Sequence, residues 1–82
     1  MKKCMKKADV QKIEKAEYEL IEELIELRYK ANLSQPKLAK IIGVNQPAIA
    51  KIEKHHSSPN VFTFLRLLLP FNKTIKIVDI KK

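Results

Sequence analysis

The chain has 82 residues, a formal net charge of +8, one cysteine (Cys4) and one glycine (Gly43). That length makes one domain with a modest core, a kind of chain for which oligomerisation is a common support. A lone cysteine permits no internal disulfide and suits the reducing cytoplasm, a single glycine leaves no long Gly-rich phosphate loop, and the most apolar stretch, Val61–Phe71, is too short to span a bilayer and is broken by Arg66 and Pro70.

Residues 1–8 carry four Lys and no acid and read as a flexible basic tail; no apolar run follows, so no signal peptide is read. Asp9 is placed to cap a helix running to about Ala31. Its apolar positions Ile13, Ala16, Leu20, Leu24, Leu27 and Ala31 recur every three or four residues, and Ile21 and Ile25 widen the stripe. Glu19, Glu22, Glu23 and Glu26 fall mostly on the other face. Charge is segregated along the chain: residues 9–27 sum to −5 and residues 28–82 to +9. The basic excess thus lies beyond the first helix, on a segment suited to attracting polyanions.

Asn32 ends the first helix, since Asn tolerates left-handed backbone. Ser34 caps a second, short helix with Pro36 in its first turn, where a missing N–H does no harm. Leu38, Ala39, Ile41 and Ile42 give that helix an apolar side, and Gly43 stops it. Asn45 caps a third helix, again with a proline (Pro47) in the first turn; Ala48, Ile49 and Ile52 supply its apolar positions, while Gln46, Ala50 and Lys51 point elsewhere. Lys54 to Pro59 is a polar loop. Asn60 caps a fourth helix, Val61 to about Leu69, ended by Pro70. Thr74 to Ile80 is rich in β-branched residues and predicts one strand. The organisation read from this pass is a basic tail (1–8), a helical domain (9–71) and a terminal strand (72–82).

The tight spacing of the second and third helices has a mechanical reading. Ala39 is small enough for close crossing, Gly43 makes the reversal, and Val44 and Ile49 fill the angle, leaving the polar side of the third helix outward. Over Ile21 to Leu69, the segments LIELR, LSQPKLAKIIGVNQPAIAKIE and SSPNVFTFLRLL resemble the helix-turn-helix family of phage Cro and lambda repressor, the Xre type. The resemblance implies a mainly α, lambda-repressor-like bundle of four to five helices that binds double-stranded DNA as a transcriptional repressor. By position it implies a phosphate contact at Gln35, at the start of the second helix, with Ser34 at its cap. It implies base-facing roles for Gln46, Pro47 and Lys51, and a cap that meets phosphate or base at Asn45. Gln46 suits adenine and Lys51 suits guanine acceptors. Pro47 departs from the pattern: it offers no side-chain hydrogen bond and at best packs on a thymine methyl. Arg28 and Glu53 match the family's partly buried ion pair and are read as structural. His55, Ser57 and Ser58 lie where the family's loop touches phosphate, and Lys54 and Lys40 add charge at the rim. The family often has Gly soon after this Glu; here Lys54, His55 and His56 follow.

Other chemistries find little support. Adjacent His55 and His56 without a Cys or carboxylate cluster make a poor zinc site, so no metal or cofactor is expected. The first-helix carboxylates crowd one solvated face with no paired His, and no nucleophile arrangement stands out, so no enzyme is expected. Of the five aromatics, Tyr18, Tyr29, Phe62, Phe64 and Phe71, most read as core or interface, which leaves no stacking platform for RNA.

The fourth helix is apolar almost all round, so part of it is expected to meet another chain. The lone strand has no partner within the sequence and is expected to pair with a second subunit or a partner's sheet. A two-fold dimer would set two recognition helices one DNA turn apart. Size, architecture and the extra strand also resemble antitoxins of the HigA kind, which implies repression of its own operon and a RelE-like, RNA-cleaving toxin as partner. The alternative is a protein-interaction module that keeps the fold with little DNA sequence readout, motivated by Pro47.

Overall fold

A computed structural model describes residues 5–80. Four helices follow in order: α1 (Lys7–Lys30), α2 (Gln35–Ile42), α3 (Gln46–Glu53) and α4 (Val61–Leu68), the last running into a 3-10 turn, Leu69–Phe71. The three short helices start where side-chain caps were expected. Ser34 Oγ accepts from the Lys37 N–H at 3.2 Å, Asn45 Oδ1 from Ala48 at 2.9 Å and Asn60 Oδ1 from Thr63 at 2.8 Å. Each satisfies one of the donors that a helix start leaves open. Pro36 and Pro47 sit in first turns, where no intrahelical N–H is needed.

Helix α1 begins earlier than the Asp9 cap predicted. Asp9 lies inside the first turn and accepts from the Lys6 backbone N–H at 3.3 Å. The expected tail therefore overlaps the helix at Lys7 and Ala8, and its residues 1–4, with Cys4, lie outside the described residues. The helix ends through Ala31, and Asn32 takes the left-handed conformation (φ 54°) expected of it.

The core is Ile21 and Leu24 of α1, Leu38 and Ala39 of α2, Ile49 and Ile52 of α3, and Phe64, Leu67 and Leu68 of α4. Helix α2 packs chiefly on α3, α1 on α3 and α4 on α2. Only the C-terminal half of the α1 stripe reaches this core: Ile13 and Leu20 remain 52% and 37% exposed. A 24-residue helix is about 36 Å long, and the three short helices cannot cover that length. The N-terminal half of α1 therefore overhangs the bundle, in a molecule 43 Å along its longest axis and 19 Å along its shortest.

Gly43 makes the reversal between α2 and α3 at φ +77°, a backbone state that L side chains rarely adopt. The Gly43 and Val44 N–H groups both donate to the Ala39 carbonyl, at 2.9 and 3.0 Å. Ala39 and Ile49 are buried and Val44 is half-buried against the core, so the angle is filled as the spacing predicts. Arg66 of α4 adds a clamp by donating through Nη2 to the Ile42 carbonyl at the end of α2.

The C-terminal strand is corrected by the structure. Among the described residues Thr74–Ile80 forms no strand. Ile75 alone packs partly on the core, whereas Ile77, Val78 and Ile80 are exposed. β-branched composition favours a pleated surface only when another backbone supplies the ladder hydrogen bonds, and this chain brings none alongside.

Truncating Leu24, which is fully buried, to Ala should cost about 2–5 kcal/mol in chemical denaturation. Gly43→Ala should cost about 1–2 kcal/mol because its Cβ must be carried at positive φ, and its van der Waals neighbour, Arg66 Nη2, is only 3.4 Å from that position.

Candidate nucleic-acid interface

The exposed edge of α3 is set by a polar relay that starts inside the protein. Arg28 of α1 donates to both carboxylate oxygens of Glu53, at 2.7 Å each, and through Nη1 to the Leu33 carbonyl at 2.9 Å. Both side chains of the pair are 7% exposed. Two parallel charge-assisted bonds fix the angle between the helices as well as their distance. The hydrogen bond to Glu53 raises the Arg28 pKa above its ordinary value, outweighing the desolvation that lowers it. A cation with a raised folded-state pKa contributes stability that is complete below the unfolded value and lost only as pH rises through the folded one. The guanidinium therefore stays charged throughout the neutral range.

From Glu53 the relay runs outward. Gln35 Nε2 donates to Glu53 Oε1 at 2.9 Å, and Gln46 Nε2 donates to Gln35 Oε1 at 3.3 Å. Gln35 is half-buried and Gln46 is exposed. The first residue of α2 thus holds the first residue of α3, with one end of the relay in the core and the other in solvent. Among the described residues every buried side-chain nitrogen and oxygen has a hydrogen-bond partner.

The remaining sequence-derived positions divide by location. Asn45, Pro47 and Lys51 line one side of an open cleft whose other side is Ser57, Ser58 and Thr63, from the α3–α4 loop and the start of α4. Ser34 and Lys54 are exposed but lie outside that cleft. Ser34 and Asn45 each use a side-chain oxygen as a helix cap, so an incoming phosphate would meet residues already fixed in orientation.

His55 is placed differently from the loop-phosphate reading. Its ring stacks on Tyr18 of α1 with centroids 4.0 Å apart and planes 13° off parallel. Its Nε2 lies 2.7 Å from Glu22 Oε2. His55 also holds the left-handed position after α3 (φ 62°), which turns the side chain back against α1. This is the turn that the resemblance would furnish with glycine; a stacked and hydrogen-bonded ring occupies it instead.

Sequence reasoning missed three features here. Thr63 lines the cleft, and only its place one turn after the Asn60 cap hinted at this. The Tyr18–His55–Glu22 contact joins residues more than thirty positions apart and left no local signal. The Gln35–Gln46 bond was likewise invisible, although both residues had been singled out.

Residues 24–78 match the helix-turn-helix family. An uncharacterized HTH-type transcriptional regulator of Haemophilus influenzae is 45% identical over 62 residues, which cover 76% of this chain and 63% of that protein. Antitoxin HigA1 of Mycobacterium tuberculosis is 36% identical over 59 residues, covering 72% and 40%. The chain therefore spans less than two thirds of the length of either relative. Among solved structures, a toxin-antitoxin module from Streptococcus pneumoniae superposes with a TM-score of 0.70 at 32% identity, over 94% of this chain and 84% of that one.

Removing one partner of the ion pair leaves the other charge buried and unpaired. Glu53→Ala should cost about 3–5 kcal/mol in thermal or urea unfolding, while exchanging both partners for apolar residues of similar volume should cost much less.

Proposed function

The chain belongs to the Xre-type helix-turn-helix family, and on that premise we propose that it is a sequence-specific DNA-binding repressor that inserts α3 into the major groove. The observation that carries the reading is the split of α3 into two edges. Ile49 and Ile52 are buried in the core, whereas Gln46, Pro47 and Lys51 are exposed on a helix clamped by the Arg28–Glu53 pair. A helix held this rigidly loses little conformational freedom on binding.

The roles follow from chemistry. Gln46, oriented by Gln35, presents an amide suited to the N6 and N7 edge of adenine; Lys51 reaches guanine acceptors; Pro47 packs on a thymine methyl. Gln35 and Ser34 at the start of α2, Asn45 at the start of α3, and Lys54 and Ser57 near the loop meet backbone phosphates, where helix N-termini favour anions. His55 is left out of this set because its ring is engaged with α1. The family is one of DNA-binding regulators, not of enzymes.

The fuller proposal is a cytoplasmic homodimer acting as the antitoxin of a toxin-antitoxin pair that represses its own operon, with a RelE-like toxin as partner. The antitoxin and module names among its relatives support this, as does the apolar surface of α4, where Phe62 and Leu69 are 70% and 72% exposed. Exposed Pro47 favours a second reading, a protein-interaction module with little sequence readout, because one recognition position carries no hydrogen-bonding group.

A mobility-shift assay on the DNA upstream of its own reading frame separates the two. The repressor reading expects a shift that competitor DNA of unrelated sequence does not abolish. Each of Gln46→Ala and Lys51→Ala should weaken it by about 1–3 kcal/mol without loss of fold. Raising salt from 50 to 200 mM should reduce affinity by about a thousandfold or more if six or more phosphates are contacted. Full affinity in the double variant would remove both residues from the interface. Co-expression with the neighbouring reading frame tests for the toxin.

A further inference from the structure

Away from the recognition edge, a groove runs beneath the overhang of α1. Ile13, Ala16 and Leu20 of α1 face Val61 and Phe64 of α4, with Ile75 closing the groove from the C-terminal segment. A second depression continues the first, sharing Leu20, Phe64 and Ile75 with it and extending to Leu27 and Leu68. Ile13 and Val61 are 52% and 65% exposed at its upper end. Contiguous exposed apolar surface of this kind marks sites of contact.

The charge around the groove discriminates among occupants. Glu17 lines the first depression, and Glu23 and Glu26 line the second. They belong to the only strongly acidic stretch of a +8 chain, residues 9–27, which sum to −5. DNA is repelled from such a face. A second copy pairing about a two-fold axis would bring a second set of these carboxylates into the interface, since a two-fold interface uses the same patch on both subunits. Lys30 and Lys73 lie only at the lower end, and Lys30 is turned to Glu26 at 3.5 Å.

We propose that the groove between the α1 overhang and α4 docks a basic amphipathic segment of a protein partner, whose apolar side fills the Ile13–Leu20–Val61 channel while its cations meet Glu17 and Glu23. The inference rests on the reading above that the chain has a protein partner, and adds where that partner sits and what its docking segment must be. The recognition cleft and this groove meet only at Pro59 and Asn60, so the two surfaces lie on different sides of the α3–α4 loop and both remain available at once.

The test uses the full chain and a fluorescent, idealised leucine–lysine helical peptide, with a leucine–glutamate peptide of the same pattern as control. Fluorescence polarisation should show salt-sensitive binding of the basic peptide and not of the acidic one. Glu17→Gln with Glu23→Gln, and separately Ile13→Ser with Val61→Ser, should each weaken it about tenfold or more, with thermal unfolding unchanged and the mobility shift retained. Equal binding by both pairs of variants and the parent would overturn the proposal. So would a change from dimer to monomer in sedimentation of the Ile13→Ser, Val61→Ser variant, which would assign the groove to a second copy. Absence of a mobility shift in the parent would instead count against the repressor reading, and absence of a toxin on co-expression against the antitoxin reading; neither moves the peptide result.

Discussion

The Arg28–Glu53 pair is the constraint on which the arrangement depends. Three short helices of eight residues each hold little intrinsic helix stability, so their mutual angles must come from packing and a few directional bonds. The guanidinium supplies these: it grips the last residue of α3 with two bonds and the chain leading into α2 with a third. The carboxylate then passes orientation to Gln35 and through it to Gln46. Apolar packing of Leu24, Leu38 and Ile49 provides the free energy of assembly, but fat contacts alone leave a helix free to roll. The ion pair removes that freedom, and it is therefore better seen as fixing geometry than as adding net stability.

What the sequence made legible was local. The caps Ser34, Asn45 and Asn60, the prolines one residue into α2 and α3, and Gly43 between them act within four residues of themselves, and the structure places each as read. The core positions Leu24, Leu38, Ala39, Ile49 and Ile52 follow from helical periodicity. The failures were of another kind. Helical periodicity continues along α1 past the end of the bundle, because a stripe in sequence does not reveal how much partner surface is there to receive it; Ile13 and Leu20 are the result. Thr74–Ile80 has strand composition without a neighbouring strand, so composition outran topology. The resemblance implied a phosphate contact for His55 by its place in the loop; its ring also stacks on Tyr18 and lies against Glu22, thirty-odd residues away, which no local pattern announces.

The separation of charge along the chain becomes a separation in space. Lys51 and the caps Asn45 and Asn60 line the cleft beside α3, while Glu17, Glu23 and Glu26 of α1 line the groove against α4. A single small domain thereby carries a basic cleft and an acidic groove on separate elements. Charge so separated is the arrangement by which electrostatic steering orients a protein toward a polyanion before contact.

The clamp from Arg66 to the carbonyl of Ile42 has a mechanical consequence. It joins α4, the helix with the exposed apolar side, to the residue that immediately precedes the reversal into α3. In a dimeric regulator of the kind proposed, a neighbouring subunit that leaned on α4 would press on the same joint that sets the angle of α3.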